Sequence, residues 1–400
     1  MNKGSERSIL ILAPHPFFSE RGTPIAVRDL AAILSEGGWK VTILTLPFGE
    51  DLDIEEVEVI RTRKLPFVKK VGIGLNPAKL VADLFLWFSL VRLLSKRRFT
   101  VYHPVEESVF LAWLASIFFK ARIVYDMDSC MGDQIVEKFP MLTRLRGTFR
   151  FAEKFIMRRV DWILPVCPAL GDICEELAPR TPRTILHDIA PPRLPEPPSD
   201  LIDLRQRVGE GYLIGLYVGN FESYQGVDLI VEAMERLDAD LPLKIVLVGG
   251  GDRVEELKNR VETGAANGRV IFGGPKPFSH LPHILEQADI LLSPRCKGVN
   301  TPMKLYAYLG AGRSILATRI LSHTQILAEE DACWVAPEGK AVAEGLEKLV
   351  EDPEWRSQLA ARACHLSQES FSREVLKEKI LGCYERLETG ILADGGEAEN

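Results

Sequence analysis

The chain has 400 residues, 46 % hydrophobic and 26 % charged, with a formal net charge of −7. That length exceeds one compact core and implies two domains of about 150–200 residues, each with enough apolar mass for its own interior. The acidic balance speaks against a nucleic-acid binder, which carries a basic surplus.

Seven cysteines form no CxxC pair and leave one over by parity, which fits small buried hydrophobes in a reducing compartment. The segment MNKGSERSILILAP has too short an apolar run before Pro14 for a signal peptide. No uncharged apolar stretch reaches the roughly 18 residues of a membrane span. These features lead to the expectation of a cytoplasmic protein.

In the first half, SILILAP, KVTILTLP, EVEVIRT, TVYHPV, ARIVYD and DWILPV read as strands. Helical patterns lie between them, among them Ile25–Glu36 and the long segment Pro77–Lys96. Short continuous apolar strands separated by helices predict βαβ units and a parallel sheet covered on both faces. The proline-dense run APPRLPEPP, from Ala190 to Pro198, excludes helix and central strand and reads as a stiff linker. The alternation then restarts with YLIGLYVG, LKIVLVGG, RVIFGG, ADILLSP, SILAT and ACWVA. Two doubly wound sheets joined by one linker predict a two-lobed α/β protein with a cleft, ligands lying at the carboxyl ends of strands. The expected division is 1–190, a linker over 191–198, 199–368, a helix over 369–388 that packs back on the first domain, and a disordered tail over 389–400.

The run SPRCKGVNTPMKLYAYLGAGRSILAT, Ser293 to Thr318, carries the strongest chemical signal. A strand, a polar loop and a helix N-terminus in that order make an anion site, because the first helical N–H groups lack partners and the dipole favours negative charge. Arg295, Lys297 and Lys304 supply cations there. Lys304 falls in the first helical turn, where a cation is unfavourable without an anion nearby. Asn300 and Thr301 are candidates to cap the helix or donate to a phosphate, with Pro302 beside them. The loop after the first strand, PHPFFSERGTPIAV, places Gly22 before a helix opening at Thr23-Pro24. YVGNFESYQG and LVGGG end two further strands with Gly219 and Gly249. No glycine cluster matches the dinucleotide fingerprint or the P-loop, which disfavours hydride transfer and P-loop ATP hydrolysis.

Taken together, YVGN…YQGVDLIVEAM, LVGGG, IFGG, ADILLSP and PMKLYAYLGAGRSILAT resemble the GT-B family 4 glycosyltransferases over nearly the whole chain. The resemblance implies an α/β GT-B fold, two Rossmann-like doubly wound parallel-sheet domains facing a cleft. It implies a retaining transferase that moves a hexose or related sugar from a nucleoside diphosphate to a glycan or lipid-linked acceptor. The donor would sit mainly on the C-terminal domain and the acceptor on the N-terminal one, with no cofactor and no metal. Where the family commonly has Arg and Lys, this chain has Asn220 and Gln225; where many members carry two glutamates, it has Val299 and Ala307. The strand end VYDMDS puts Asp128 where a histidine often stands.

On this frame Arg295 and Lys304 neutralise the diphosphate, and Asp128 positions an acceptor hydroxyl. Gly22, Gly219, Asn220, Gln225, Gly249, Asn300, Thr301, Pro302 and His323 are donor-side candidates, and His15 and His103 acceptor-side candidates. Two other classes stay open: a GT-B nucleotide-sugar epimerase or hydrolase, and a non-catalytic sugar-nucleotide binder. Residues 61–99 flank an apolar helix with basic residues, Lys64 to Lys70 and Lys96 to Arg98. That pattern suits either a helix lying on an anionic membrane or a buried helix with a basic tip.

Overall fold

The computed structural model describes residues 7–20, 22–51, 54–64, 77–132, 140–193 and 195–390. The chain divides into two compact units, Met1–His187 with Leu376–Asn400, and Asp188–Val375. The basic run 65–70 and the tail from 391 lie outside the described residues.

All twelve strands expected from short apolar runs are present. In the first unit they are β1 (Ser8–Ala13), β2 (Lys40–Thr45), β3 (Val57–Arg61), β4 (Val101–Pro104), β5 (Arg122–Met127) and β6 (Trp162–Pro165). They form one sheet in the order β3-β2-β1-β4-β5-β6, with every pair parallel. The helices described with them are α1 (Gly22–Glu36), α2 (Pro77–Leu94), α3 (Ser108–Ser116), α4 (Arg146–Met157) and α5 (Pro168–Leu177). Leu10, Leu12, Tyr102, Ile123 and Tyr125 turn to one face, where they meet the inner sides of α2 to α5.

The second unit repeats the plan with β7 (Leu213–Asn220), β8 (Leu243–Gly250), β9 (Val270–Gly274), β10 (Ile290–Ser293), β11 (Ser314–Thr318) and β12 (Cys333–Val335). Its order is β12-β11-β10-β7-β8-β9, again parallel throughout. The helices are α6 (Leu204–Val208), α7 (Val227–Arg236), α8 (Val254–Thr263), α9 (Leu281–Leu285), α10 (Met303–Ala311), α11 (Leu321–Thr324), α12 (Gly339–Glu351), α13 (Pro353–Ser370) and α14 (Arg373–Thr389). Strand period two feeds two cores. Tyr217, Ile245, Leu247 and Leu292 pack with α7, α8 and α12, while Leu216, Val246, Leu291 and Ile315 pack with α6, α9 and α10.

The helical tail is two helices, broken at Phe371-Ser372, and from Leu376 onward it belongs to the first unit. There α14 buries Ile380, Cys383, Tyr384 and Leu387 at helical spacing. The Tyr384 ring meets Trp39 edge-on at 5.3 Å, and its hydroxyl lies 2.6 Å from Nδ1 of His103. Nε2 of His103 lies 3.3 Å from Asp126. With Nε2 donating to that carboxylate, Nδ1 accepts from the tyrosine. Tyr384→Phe therefore strips the partner from a fully buried ring nitrogen. It should cost about 1–3 kcal/mol, read as an earlier urea midpoint in the transition of the first unit. An unchanged midpoint would contradict this pairing.

Candidate functional site

In an open parallel sheet the helices after two neighbouring strands leave to opposite faces at one point, and the strand ends there stay uncovered. In the second unit that point lies between β7 and β10, which pair directly. The residues singled out from the sequence in this unit lie on the strand ends, loops and helices around it.

β7 and β8 end side by side, Gly219 opposite Gly249. A Cβ on Gly249 would stand 1.9 Å from the Gly219 carbonyl oxygen, and its φ is +140°, so only glycine fits. Gly226, at φ +73°, opens α7, and a Cβ there would stand 1.9 Å from the Pro294 carbonyl. The loop after β7 is thus pressed against the loop after β10, and Cys296 N donates to Tyr224 O at 2.8 Å across them.

Lys304 lies in the first turn of α10. Its ammonium donates to Gln225 Oε1 at 2.9 Å and lies 4.0 Å over the Tyr217 ring. Among the described residues no carboxylate reaches it. Burial first, and the Arg295 charge second, hold its pKa well below the usual lysine range. One turn on, the Tyr308 hydroxyl accepts from Val218 N at 3.0 Å and donates to Leu292 O at 3.2 Å, tying β7 to β10. The N-cap of α10 is Pro302, without a side-chain cap. The capping expectation for Asn300 and Thr301 is therefore corrected. Thr301 Oγ1 instead accepts from Gln325 Nε2 at 2.8 Å, and the Asn300 carbonyl accepts from Arg295 at 2.8 Å.

The Arg295 guanidinium also donates to Lys297 O at 2.7 Å, so this side chain shapes its own loop. Lys297 itself is exposed. His323 is fully buried. Its Nδ1 lies 2.7 Å from Thr318 O and its Nε2 2.9 Å from Ser293 Oγ. Desolvation lowers its pKa to about 4, partly opposed by the Thr318 carbonyl and aided by Lys304 and Arg295. Near neutral pH it is an uncharged brace between the ends of β10 and β11. Asn220 is exposed at the end of β7, its carbonyl accepting from Tyr217 OH at 2.7 Å.

In the first unit the corresponding point lies between β1 and β4. Gly22 is the exposed first residue of α1, not part of a loop before it. His15 is half-buried after β1, and its carbonyl accepts from Thr45 Oγ1 at 2.7 Å. His103 is enclosed, both ring nitrogens engaged as above, which makes it an orienting partner of Asp126. Asp128 lies half-buried in the bend after β5.

A cluster that no motif marked lies beside them. Lys79 of α2 is buried, donates to Pro14 O, and pairs with Glu107 at 2.5 Å and Asp83 at 3.4 Å. In the sequence its traces were the adjacent Glu106 and Glu107 of VYHPVEES and the i,i+4 Lys–Asp spacing on an apolar helix. Glu106 follows β4 in left-handed backbone at φ +49°, an uncommon conformation for a side-chain-bearing residue. Its N–H donates to Asp126 O at 3.0 Å, and Ser129 Oγ lies 3.4 Å from its carboxyl. Among the described residues no group of three or more His, Cys, Asp or Glu is placed to hold a metal.

Desolvation, and then the neighbouring Glu107, raise the Glu106 pKa from 4.5 to about 7, against the pull of Lys79. The folded state thus holds this proton more tightly than the unfolded chain. Ionisation costs stability progressively from about pH 4.5 to about pH 7 and the loss persists above. Glu106→Gln removes that cost. Its melting temperature should rise relative to wild type more at pH 8 than at pH 5. Equal shifts at both pH values would mean that the carboxyl ionises freely.

Residues 202–365 match the family model described as glycosyl transferases group 1, and residues 21–187 match the glycosyl transferase 4-like domain. A phosphatidyl-myo-inositol mannosyltransferase of Mycolicibacterium smegmatis is 26 % identical over 174 residues, 42 % of this chain and 44 % of that protein. An N-acetyl-alpha-D-glucosaminyl L-malate synthase of Bacillus anthracis is 23 % identical over 199 residues, 49 % of this chain and 50 % of that one. The chain spans about half the length of the curated relatives it matches. Among solved structures, a sucrose-phosphate synthase from Thermosynechococcus elongatus superposes with a TM-score of 0.78 at 18 % identity, covering 96 % of this chain and all of that one. HepE of Anabaena, in complex with UDP and glucose, gives 0.72 at 15 %, covering 95 % and 100 %. Both halves match in order, and each carries its own six-stranded parallel sheet; the chain belongs to the family 4 glycosyltransferases of the GT-B fold.

Proposed function

We propose that this protein transfers a sugar from a nucleoside diphosphate to a hydroxyl of a glycan or lipid-linked acceptor, with retention at the anomeric carbon. One observation carries the reading: buried Lys304 has no carboxylate partner among the described residues, at an α10 N-terminus without a side-chain cap, beside the glycine-ended strands β7 and β8. A desolvated cation and a helix N-terminus together prepare a place for a dianionic group. The UDP and UDP-glucose complexes of Anabaena HepE support a diphosphate sugar as that group.

In this reading Lys304 and the first amides of α10 take the diphosphate, and Gln225 orients the ammonium. Arg295 holds the 295–300 loop in shape and adds positive potential. Gly219 and Gly249 let backbone approach the donor, flanked by Asn220, and His323 braces β10 and β11 beneath it. The acceptor hydroxyl attacks C1 on the face from which the diphosphate departs. The C1–O bond to phosphate breaks, the C1–O bond to the acceptor forms, and the hydroxyl proton passes to the departing phosphate oxygen. Stabilising charge on that oxygen is the main catalytic term. Asp128, and the Asp126–His103 pair behind it in the same unit, position the hydroxyl. No step requires a metal, so turnover should survive chelation by EDTA.

Screening UDP-, GDP-, ADP- and dTDP-sugars by thermal shift should find one that raises the melting temperature. Lys304→Met relieves a buried charge, so it should leave the ligand-free melting temperature equal or higher. It should also weaken donor binding by at least about tenfold, the scale of one charge-assisted contact. A lowered ligand-free melting temperature with an intact nucleotide shift would sink this donor site. Proton NMR of the product then separates transfer with retention from inversion, epimerisation and hydrolysis.

A further inference from the structure

α2 has its polarity reversed. A helix on a water-facing surface turns charge outward and apolar residues inward. Here Lys79 and Asp83, its charges before Arg92, turn inward to the cluster with Glu107. Ala82, Leu86 and Leu90 bury the usual stripe, and the outward stripe at i,i+4 spacing is Leu80, Leu84 and Phe88, the last 62 % exposed. α3 packs beside α2, and α4 beside α3, on the same side of the sheet. Trp113 of α3 meets Phe155 of α4 edge-on at 5.1 Å.

The outer surface of these neighbours is apolar too. The run SVFLAWLASIFF, 108–119, holds no charge at all, and Phe118 at its end is 71 % exposed, with Ile117 and Leu114 beside it. At the start of the next element Met141 is 93 % exposed, and Phe151 of α4 is 69 % exposed. Val81 of α2 and Leu145 are exposed as well, and among the described residues the remaining exposed large apolar side chains are Tyr212, Tyr224, Val299 and Leu321, all in the other unit. Scattered apolar residues on a surface are ordinary; three adjacent helices that all turn them outward mark a binding face.

Charge identifies the occupant. Over 77–98, 108–122 and 140–159 the carboxylates are Asp83 and Glu153 alone, and both turn inward, Glu153 to the Gly132 amide. Exposed basic residues fill the margins: Arg92, Lys96 and Arg98 on one side, Arg144, Arg146 and Arg158 on the other. This local basic excess stands on a chain of net charge −7. At the α4 border the exposed Glu176 of α5 is paired with Arg150 at 2.6 Å. An apolar face with a basic margin and no outward carboxylate of its own fits the boundary between acyl chains and anionic headgroups. No described helix is long and apolar enough to cross a membrane, so the contact lies on the bilayer rather than through it.

We infer that the outer face of α2, α3 and residues 140–159 docks on an anionic phospholipid bilayer. The inference does not rest on the transferase reading, because vesicle binding is measured without turnover. The test is co-sedimentation of the full chain with phosphatidylcholine vesicles, with and without phosphatidylglycerol, at low and high salt. Binding should require the anionic lipid and fall with salt. It should weaken by at least about tenfold both in Phe88→Glu with Phe118→Glu and in Arg144→Glu with Arg146→Glu. These positions are exposed, so circular dichroism should show both variants folded.

Lack of wild-type binding to anionic vesicles at low salt overturns the inference, as does binding unchanged in both folded variants. Equal binding to neutral vesicles removes its electrostatic half and overturns it as stated. A concentration-dependent dimer in sedimentation velocity, broken by Phe118→Glu and accompanied by no vesicle binding, assigns the face to a second copy of the chain instead.

Discussion

Both units depend on one topological constraint. Parallel strands joined by helical crossovers deliver all their carboxyl ends to one edge, and at the β1–β4 and β7–β10 pairs the following helices depart to opposite faces. Strand ends at these two places cannot be roofed by their own crossovers. The fold therefore exposes, in each unit, a short stretch of backbone surrounded by a well-packed core. Glu106 and Asp126 end up at one such place and Gly219, Lys304 and Ser293 at the other for the same geometric reason.

In the second unit this geometry sustains a costly side chain. Desolvation presses the Lys304 ammonium toward its neutral form, and among the described residues it meets the Gln225 carbonyl and the face of Tyr217 but no carboxylate. Such a charge persists only where neighbouring elements leave it no escape. The close approach of Gly226 to Pro294 and of Gly249 to Gly219 provides that confinement, with backbone touching backbone where any side chain would intrude. Tyr308 and His323 complete it by tying β7 to β10 and β10 to β11. Strand ends, and not loops alone, define the site.

The sequence revealed what depends on local pattern. Every strand was legible, because continuous apolar runs of four to eight residues between helical segments have few other readings. Lys304 was legible as well, since a cation in a first helical turn already conflicts with the dipole. The last helix, expected over 369–388, spans Arg373–Thr389, and Ser372 marks its start by accepting from Val375 N at 3.4 Å. The Lys79–Glu107 pair was hidden, joining residues far apart in the chain whose spacing carries no period. Arg295 was visible as a charge, but not as a side chain that turns back on the carbonyls of Lys297 and Asn300. Side-chain direction in a loop follows from tertiary closure, which pattern cannot foresee. His103 shows the same limit: its enclosure comes from Tyr384, which the chain supplies only in its last helix.

α2 joins the two themes. An apolar helix with few charges has two ways to place them, outward into water or inward against a polar strand end. Turned inward, Lys79 finds Pro14 O, Glu107 and Asp83 at the carboxyl edge of the first sheet. Helical geometry then leaves Leu80, Leu84 and Phe88 on the outside. The ordering of the strand end and the apolar exterior are thus two consequences of one rotation of one helix. Reversing that rotation would solvate the charges and bury the leucines, but it would leave Glu106 and Glu107 facing each other without a cation. Like charges at that spacing in a desolvated setting are more unfavourable than exposed leucine. The outward apolar stripe is therefore a structural consequence of keeping a lysine at the strand end, and a bilayer is the surroundings in which that stripe carries no cost.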